Sequence, residues 1–441
     1  MKTLTFYEYD GFLLENGSLS TKISDIPLEQ SIIEKFVESI SQDENPLSKI
    51  FSLRGYHVKA THFVGAIRFE NIQLIILPKI SKSSSNTFRM ENINFMLEKA
   101  FNIKAQANDV TELNTADGDF IEYQIRHFAN RLSYEIKRGM NREFTTEESE
   151  KKFLKGKLNF PKTLRMSLKG RNSFVTKSFV FTEDNALNQI LKWTCRELRK
   201  STKNDNVKSQ LQYCSDSFAE VSDIVPTTSH FSKLLFNRSN ERYEDLVNLS
   251  RLVFEGEQIV LETGVNRING LIFDMNKLFE GFIATALKET LPAVVSMNEQ
   301  TEYTYAIDAS GRQVVKIKPD IVVSFGNTLI VMDTKYKIVS AQGETVSNAD
   351  VYQISAYRQY FSKHYKIVKA VLIYPEYDSE INTNFENGHG EDEFEVITVS
   401  LSGNLKANYP EMSLRLYNKI SKVFQESLGP ITETRNPSIT I

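Results

Sequence analysis

The alternation of apolar and polar positions divides the chain into short strands and amphipathic helices. Leu4–Tyr9 reads as a strand and Asn16-Gly17 as a turn. Asp25 and Pro27, placed ahead of Ile32, Ile33, Phe36, Val37 and Ile40, predict a capped helix. Phe63–Phe69 and Ile72–Leu77 alternate around Glu70-Asn71 as a packed hairpin that Pro78 closes. Helical periodicity follows over Met90–Ala105, and over Phe120–Lys137 with Ile121, Ile125, Phe128, Leu132 and Ile136 on one face. Phe174–Phe181 is strand-like, and Thr182–Asn185 reads as the cap of a helix carrying Leu187, Ile190, Leu191, Trp193 and Leu198. Residues 205–265 read as mostly helical. Asn269-Gly270 precedes Leu271–Asp274, and the helix Met275–Leu287 shows one apolar face with Glu280 beside it.

The C-terminal part is organised around residues 316–337, KIKPDIVVSFGNTLIVMDTKYK. Thr301–Ile307 and Gln313–Ile317 pair around Asp308–Gly311 and lead into it. Two apolar runs, Ile321–Phe325 and Leu329–Met332, then flank Gly326-Asn327, a dipeptide suited to a two-residue hairpin loop. That loop puts Asp320 opposite Asp333, and alternation puts Lys335 on the face of Asp333. Asp350–Tyr357 is helical, with Gln353 and Tyr357 one turn apart on a shared face. Ile367–Tyr374 is a continuous apolar run that reads as a buried strand, Phe394–Leu401 as a further strand, and Leu414–Phe424 as a closing helix.

Two carboxylates facing each other across a hairpin repel, with Cβ atoms roughly 5 Å apart. A divalent cation is the simplest compensation, and carboxylate oxygens suit Mg²⁺. With an ammonium beside them, this is the chemistry of metal-assisted phosphodiester hydrolysis. The competing reading is a solvated hairpin that carries its charges at the strand ends.

The chain of 441 residues is long enough for two or three domains, and 41% hydrophobic with 25% charged residues describes an ordinary globular composition. No apolar run approaches a membrane span of about 18–20 residues, and Met1–Asp10 lacks a signal-peptide core. Cys195 and Cys214 form no CxxC, so a reducing cytoplasm is expected. The six histidines are scattered, and His389 in Asn387–Gly390 reads as a turn residue. Net charge is −3, yet Arg126–Lys177 holds 14 Lys/Arg against 5 Asp/Glu. Such a block either tracks phosphates or is a solvated face. The same choice holds for Lys192, Arg196, Arg199, Lys200 and Lys203. For Asn185 and Asn188 the choice is recognition or capping and packing. No phosphate-binding G-x-x-x-x-G-K-[ST] occurs, so no nucleotide is expected on this chain itself.

Pro319-Asp320 followed by Asp333-Thr334-Lys335 resembles the PD-(D/E)xK nuclease signature. Tyr243–Leu246, FDMNKLFEGFI at 273–283, KPDIVV at 318–323 and MDTKYK at 332–337 resemble McrC, the nuclease subunit of McrBC-type restriction systems (5-methylcytosine-specific or LlaJI-like). FVGAIRF, LIILPKI, LKGKLNF and FTEDNALNQILKW extend the likeness towards the N-terminus. The resemblance implies an α/β chain. Its C-terminal part would be a restriction-endonuclease-like mixed sheet flanked by helices (266–441), after a β-rich N-terminal adaptor (1–165) and a mostly helical connector (166–265). It implies Mg²⁺ on Asp320 and Asp333, Glu280 as a further acidic partner, and Lys335 positioning the attacking water. Gln353 and Tyr357, similar to the QxxxY motif of RecB-type nucleases, would support the site or contact DNA. The implied partners are double-stranded DNA and an McrB-like AAA+ GTPase ring, docked on the N-terminal region around Arg138–Lys157, and no membrane. A stand-alone repair or recombination nuclease, or a non-catalytic activator of the ring, are the alternatives. The likeness is thinnest near 81–120, 200–235 and 376–395.

Overall fold

A computed structural model of the protein describes residues 2–9, 11–15, 18–20, 25–27, 30–41, 47–54, 57–69, 72–79, 86–101, 120–255, 261–263, 266–309, 311–339, 346–377, 379–386 and 392–428. The expected turns at Asn16-Gly17, Glu70-Asn71 and Asn387–Gly390 lie outside these residues. Strands and helices are interleaved as a mixed α/β architecture. No helix among the described residues is long and apolar enough to cross a membrane.

The chain forms two compact units, one from Met1–Lys104 with Leu261–Ile441 and the other from Ala105–Val260. This differs from a division at 165 and 265, and one pairing explains why. Asn266–Asp274 is a strand that runs antiparallel to Phe63–Phe69, Ile272 opposite Gly65. Beside it, Ile72–Leu77 pairs with Phe63–Phe69 and, in parallel, with Lys2–Tyr7. One sheet is therefore built from the N-terminal strands and from strands within residues 261–274, far along the chain. Gly270 lies within the strand, opposite Ile67. Asp25–Pro27, expected to cap a helix, pairs with Ser18–Ser20 instead, and the helix begins at Gln30.

The sheet that carries the candidate chemistry has six strands in the order Ser296–Glu299, Ile321–Phe325, Thr328–Thr334, Ile367–Pro375, Asp392–Val399 and Asn382–Glu386. Its three middle strands, from Thr328–Thr334 to Asp392–Val399, run parallel, and antiparallel neighbours close both sides. Both outermost strands escape a reading based on apolar periodicity. Ser296–Glu299 has no fully buried residue, and Asn382–Glu386 is polar and largely exposed, as edge strands permit. The helix Asn348–Phe361 covers the middle strands, Ile354, Tyr357 and Phe361 packing with Leu329, Val331, Ala370 and Leu372. The helix Met275–Thr290 packs against Thr328–Thr334 and against the helix Asn86–Ala100. Gly281 permits the second contact, because a Cβ there would lie 3.0 Å from the Ala100 side chain. The closing helix is Leu405–Leu428, longer than expected at its start, with Pro410 inside it.

In the other unit, the helices Phe120–Lys137, Ala186–Ser201, Asp205–Ser217 and Glu244–Glu255 pack around Leu132, Leu187, Leu191, Leu211 and Leu246. Asn185 caps its helix by accepting from Asn188 N–H (3.1 Å), and the buried Asn188 amide donates to Asn141 O (2.8 Å) and Glu183 O (2.7 Å). Capping and packing occupy both side chains. Lys192 and Arg196 of the basic stripe each reach Asp223 at 2.9 Å. The charged stretch after Arg142 is a strand, Glu143–Lys151, paired along its length with Phe174–Thr182.

Asn92 tests the packing of the first unit. Its buried amide donates to Leu401 O (3.1 Å) and Gly403 O (2.9 Å) and accepts from Leu405 N–H (3.1 Å), tying its helix to the start of the closing one. Asn92→Leu strips three backbone groups of this partner, and chemical denaturation is expected to show a loss of about 3 kcal/mol. A loss below about 0.5 kcal/mol would show that these groups find other partners.

Candidate active site

The hairpin forms with the register the loop demands: Phe325 opposite Thr328 and Ile321 opposite Met332. Gly326, the first loop residue, takes φ +55°, the conformation for which a two-residue loop needs glycine. Asp320 precedes the first strand, and Asp333 lies near the end of the second. Asp320 Oδ2 accepts from Thr334 N–H (2.7 Å) and Thr334 Oγ1–H (2.8 Å), so the two strand ends are pinned together.

Asp333 is almost fully buried, and Lys335 Nζ lies 2.6 Å from its Oδ2. At that distance the ammonium makes a charge-assisted contact with the carboxylate. Lys335 Nζ donates to Gln353 Oε1 (3.0 Å), Gln353 Nε2 donates to Tyr357 Oη (2.7 Å), and Tyr357 O–H donates to Lys318 O (3.3 Å). A chain of contacts thus runs from the buried carboxylate through the ammonium to the helix above the sheet and back to the segment before Asp320. Asp350, at the start of that helix, is held by Lys337 Nζ (2.8 Å) and Tyr374 O–H (3.1 Å). Burial opposes its ionisation, but the Lys337 and Ser347 contacts win and keep its carboxyl below the usual range. The sequence reading did not single out Lys337 and Asp350. Their spacing carries no motif, and the helix alone brings them together.

Glu280 projects from the helix Met275–Thr290, which Asp274 opens by accepting from Asn276 N–H (2.9 Å). Between Glu280 and Asp320 stands Gln300, which the sequence reading missed. Its Nε2 donates to Glu280 Oε1 and to Asp320 Oδ1 (3.0 Å), and its backbone N–H donates to Asp320 O (3.0 Å). Its side chain therefore joins two elements far apart in sequence, and no periodic pattern marks such a residue.

All the expected residues are brought into this one region, and their electrostatics show the crowding. Burial first, then the Asp320 charge, push Glu280 from 4.5 up to about 7. The same two causes raise Asp333 in spite of Lys335. Burial works against the Lys335 ammonium, but the Asp333 charge outweighs it and holds the lysine above its usual range. Among the described residues no three His, Cys, Asp or Glu side chains form a ready-made metal cluster. The donor set instead fits a hard cation held by two carboxylates with water completing its shell, as Mg²⁺ favours. Asp333 Oδ2 already faces the Lys335 ammonium at 2.6 Å, so a cation there would share that carboxylate with the lysine.

The pKa of Glu280 gives a test without metal. A carboxyl raised on folding contributes stability that is fully present below 4.5 and is lost as pH rises through about 7. Glu280→Gln removes that titration. Thermal melts in chelator are expected to find the variant more stable than the parent near pH 8, with the advantage fading towards pH 5. An advantage that does not change with pH would count against the crowding.

Residues 58–375 match the family described as McrBC 5-methylcytosine restriction system component. No curated protein matches the chain. Among solved structures, the chain is similar to one in the refined half-complex from a tetradecameric assembly of Thermococcus gammatolerans McrB AAA+ hexamers with bound McrC. Identity is 23%, coverage is 95% of this chain and 100% of that one, and the TM-score is 0.57. A chain of the cryo-EM structure of the Thermococcus gammatolerans McrBC complex is similar at 26% identity, covering 65% of this chain and 87% of that one, with a TM-score of 0.45. The first likeness shows a shared fold, and the family match spans well over half of the chain. Its McrC-like words lie largely inside that match, and the chain belongs to the McrBC 5-methylcytosine restriction system component family.

Proposed function

We propose that this chain is the endonuclease subunit of a GTP-dependent, McrBC-like restriction system, cutting DNA phosphodiester bonds with Mg²⁺ in a restriction-endonuclease-like (PD-(D/E)xK) sheet. The observation that carries the reading is the convergence of Asp320, Asp333 and Lys335 at the open ends of an apolar hairpin. Lys335 is fixed there from the neighbouring helix by Gln353. A solvated hairpin gives no reason to bury Asp333 or to lock its ammonium partner.

In this reading Asp320 and Asp333 hold the cation, and Glu280 provides an outer acidic contact. Bound there, Mg²⁺ supplies an acidified water and neutralises charge on the phosphate. Lys335 stays charged beside Asp333 and orients the attacking water towards phosphorus. Gln353 and Tyr357 keep the ammonium from swinging into solvent. The chain itself binds no nucleotide. GTP hydrolysis belongs to an McrB-like AAA+ ring, which this subunit stimulates, and the pair acts in the cytoplasm. The Thermococcus gammatolerans structure of McrB AAA+ hexamers with bound McrC supports the choice of partner.

The ring-docking surface in this reading is the arm 143–182, part of which was expected from its basic charge. Its two long strands pair over their full length, and its helix Phe160–Leu168 buries no residue. Phe144 (71% exposed), Phe160 (66%), Leu168 (79%) and Phe179 (76%) face solvent. Apolar side chains gathered on an exposed hairpin and helix fit a protein partner better than phosphates.

Plasmid cleavage tests the proposal, with methylated and unmethylated DNA and with and without the AAA+ protein encoded beside this chain. Cutting that needs Mg²⁺, the partner and GTP is expected, and Lys335→Ala should reduce it by about 10²-fold or more. Cutting without partner or nucleotide would move the reading to a stand-alone repair or recombination nuclease. No cutting, with GTPase stimulation intact, would leave a non-catalytic activator.

The arm has its own test. Phe144→Ser with Phe179→Ser removes only exposed apolar groups, so the melting temperature should hardly move. Stimulation of the partner's GTPase is expected to fall by about tenfold or more, against a double-digit percentage at most if docking lies elsewhere.

A further inference from the structure

Gln300 stands where a merely structural residue would be costly. It takes φ +49°, one of two non-glycine residues with positive φ among those described. A long side chain is disfavoured in that region, and such outliers persist where the surroundings over-determine them. Here the surroundings are polar. The backbone N–H of Gln300 holds the Asp320 carbonyl at 3.0 Å, and its amide nitrogen is shared between the Asp320 and Glu280 carboxylates. An amide nitrogen carries two hydrogens and so can serve two acceptors at once. Thr334 takes the other Asp320 oxygen through two hydrogen bonds. The orientation of Asp320 is thus set from the sheet on one side and by Gln300 on the other. Among the described residues, Gln300 is the hydrogen-bonded link from Glu280 to Asp320.

We propose that Gln300 is a positioning residue of the cation site, setting the spacing of Glu280 and Asp320 before a divalent cation enters. This rests on the nuclease reading above. The left-handed backbone at position 300 turns the chain so that one side chain reaches both carboxylates. Without the amide the two like charges are free to part, and a cation must gather them again.

Calorimetric titration of the full chain with Mg²⁺ in the absence of DNA reads this directly, with melting temperatures in chelator alongside. Gln300→Leu keeps the bulk and removes the amide. It is expected to weaken Mg²⁺ binding by about tenfold or more, the usual effect of removing a group that orients a ligand. Gln300→Gly removes the amide and also relieves the left-handed backbone, so it should weaken binding equally with a smaller loss of melting temperature, which guards against a misfolded leucine variant. A purely structural role would lower melting temperatures and leave affinity alone. Parent-like affinity in both Gln300→Leu and Gln300→Gly would overturn the proposal and leave the nuclease reading standing. No Mg²⁺ binding by the parent chain, matching Asp333→Ala, would overturn both.

Discussion

Mutual repulsion among three carboxylates is the constraint around which the C-terminal sheet is arranged. Glu280, Asp320 and Asp333 reach one region from a helix, a strand entrance and a strand end. Burial weakens the screening that water would give, so two of the three hold their protons more tightly than free carboxyls do. Each charge is met by a specific group: Lys335 at Asp333, Thr334 and Gln300 at Asp320, Gln300 again at Glu280. Such an arrangement makes a poor stabilising device, because burying charge loses more solvation than a surface pair regains. In the proposed reading a small hard cation offsets the repulsion instead.

The rest of the fold supplies the rigidity this needs. The strand Thr328–Thr334 is buried at every position and has neighbours on both sides, so Asp333 is fixed by backbone that cannot fray. The helix Asn348–Phe361 is anchored by Ile354, Tyr357 and Phe361 in the core, and it presents Gln353 to Lys335 with the Tyr357 hydroxyl behind it. The helix Met275–Thr290 is held by Asp274 at its start and by the close approach at Gly281 along its length. Asp274 ends the strand that pairs with the N-terminal strand Phe63–Phe69, so that sheet sets the height at which Glu280 stands.

The arm 143–182 has a different physical character. Its strands are rich in charge, Lys162 pairs with Glu148 at 2.6 Å, and its large apolar groups point outward. Phe144 and Phe181 lie beside each other with ring centroids 4.9 Å apart, which leaves an aromatic surface without a covering layer. The charged stretch within it hid a strand from the sequence reading, because no alternation of apolar residues marks Glu143–Lys151.

What the sequence by itself determined was local. Phe120–Lys137 has the same ends in the sequence reading as in the structure, because its apolar spacing has the helical period and Gly139 follows it. The hairpin register follows from Gly326-Asn327, since a two-residue loop leaves no freedom to slip, and Asp320, Asp333 and Lys335 follow from the register. Tertiary structure alone decided three things. It placed Asn266–Asp274 beside Phe63–Phe69, a pairing across some two hundred residues that no pattern encodes. It set the polar edge strands Ser296–Glu299 and Asn382–Glu386 against the sheet, where pairing replaces burial. It put Gln300 between Glu280 and Asp320, twenty residues from each. Periodicity reports which face of one element is buried. Which side chain fills the gap between two elements depends on how they pack, and one element alone does not carry that information.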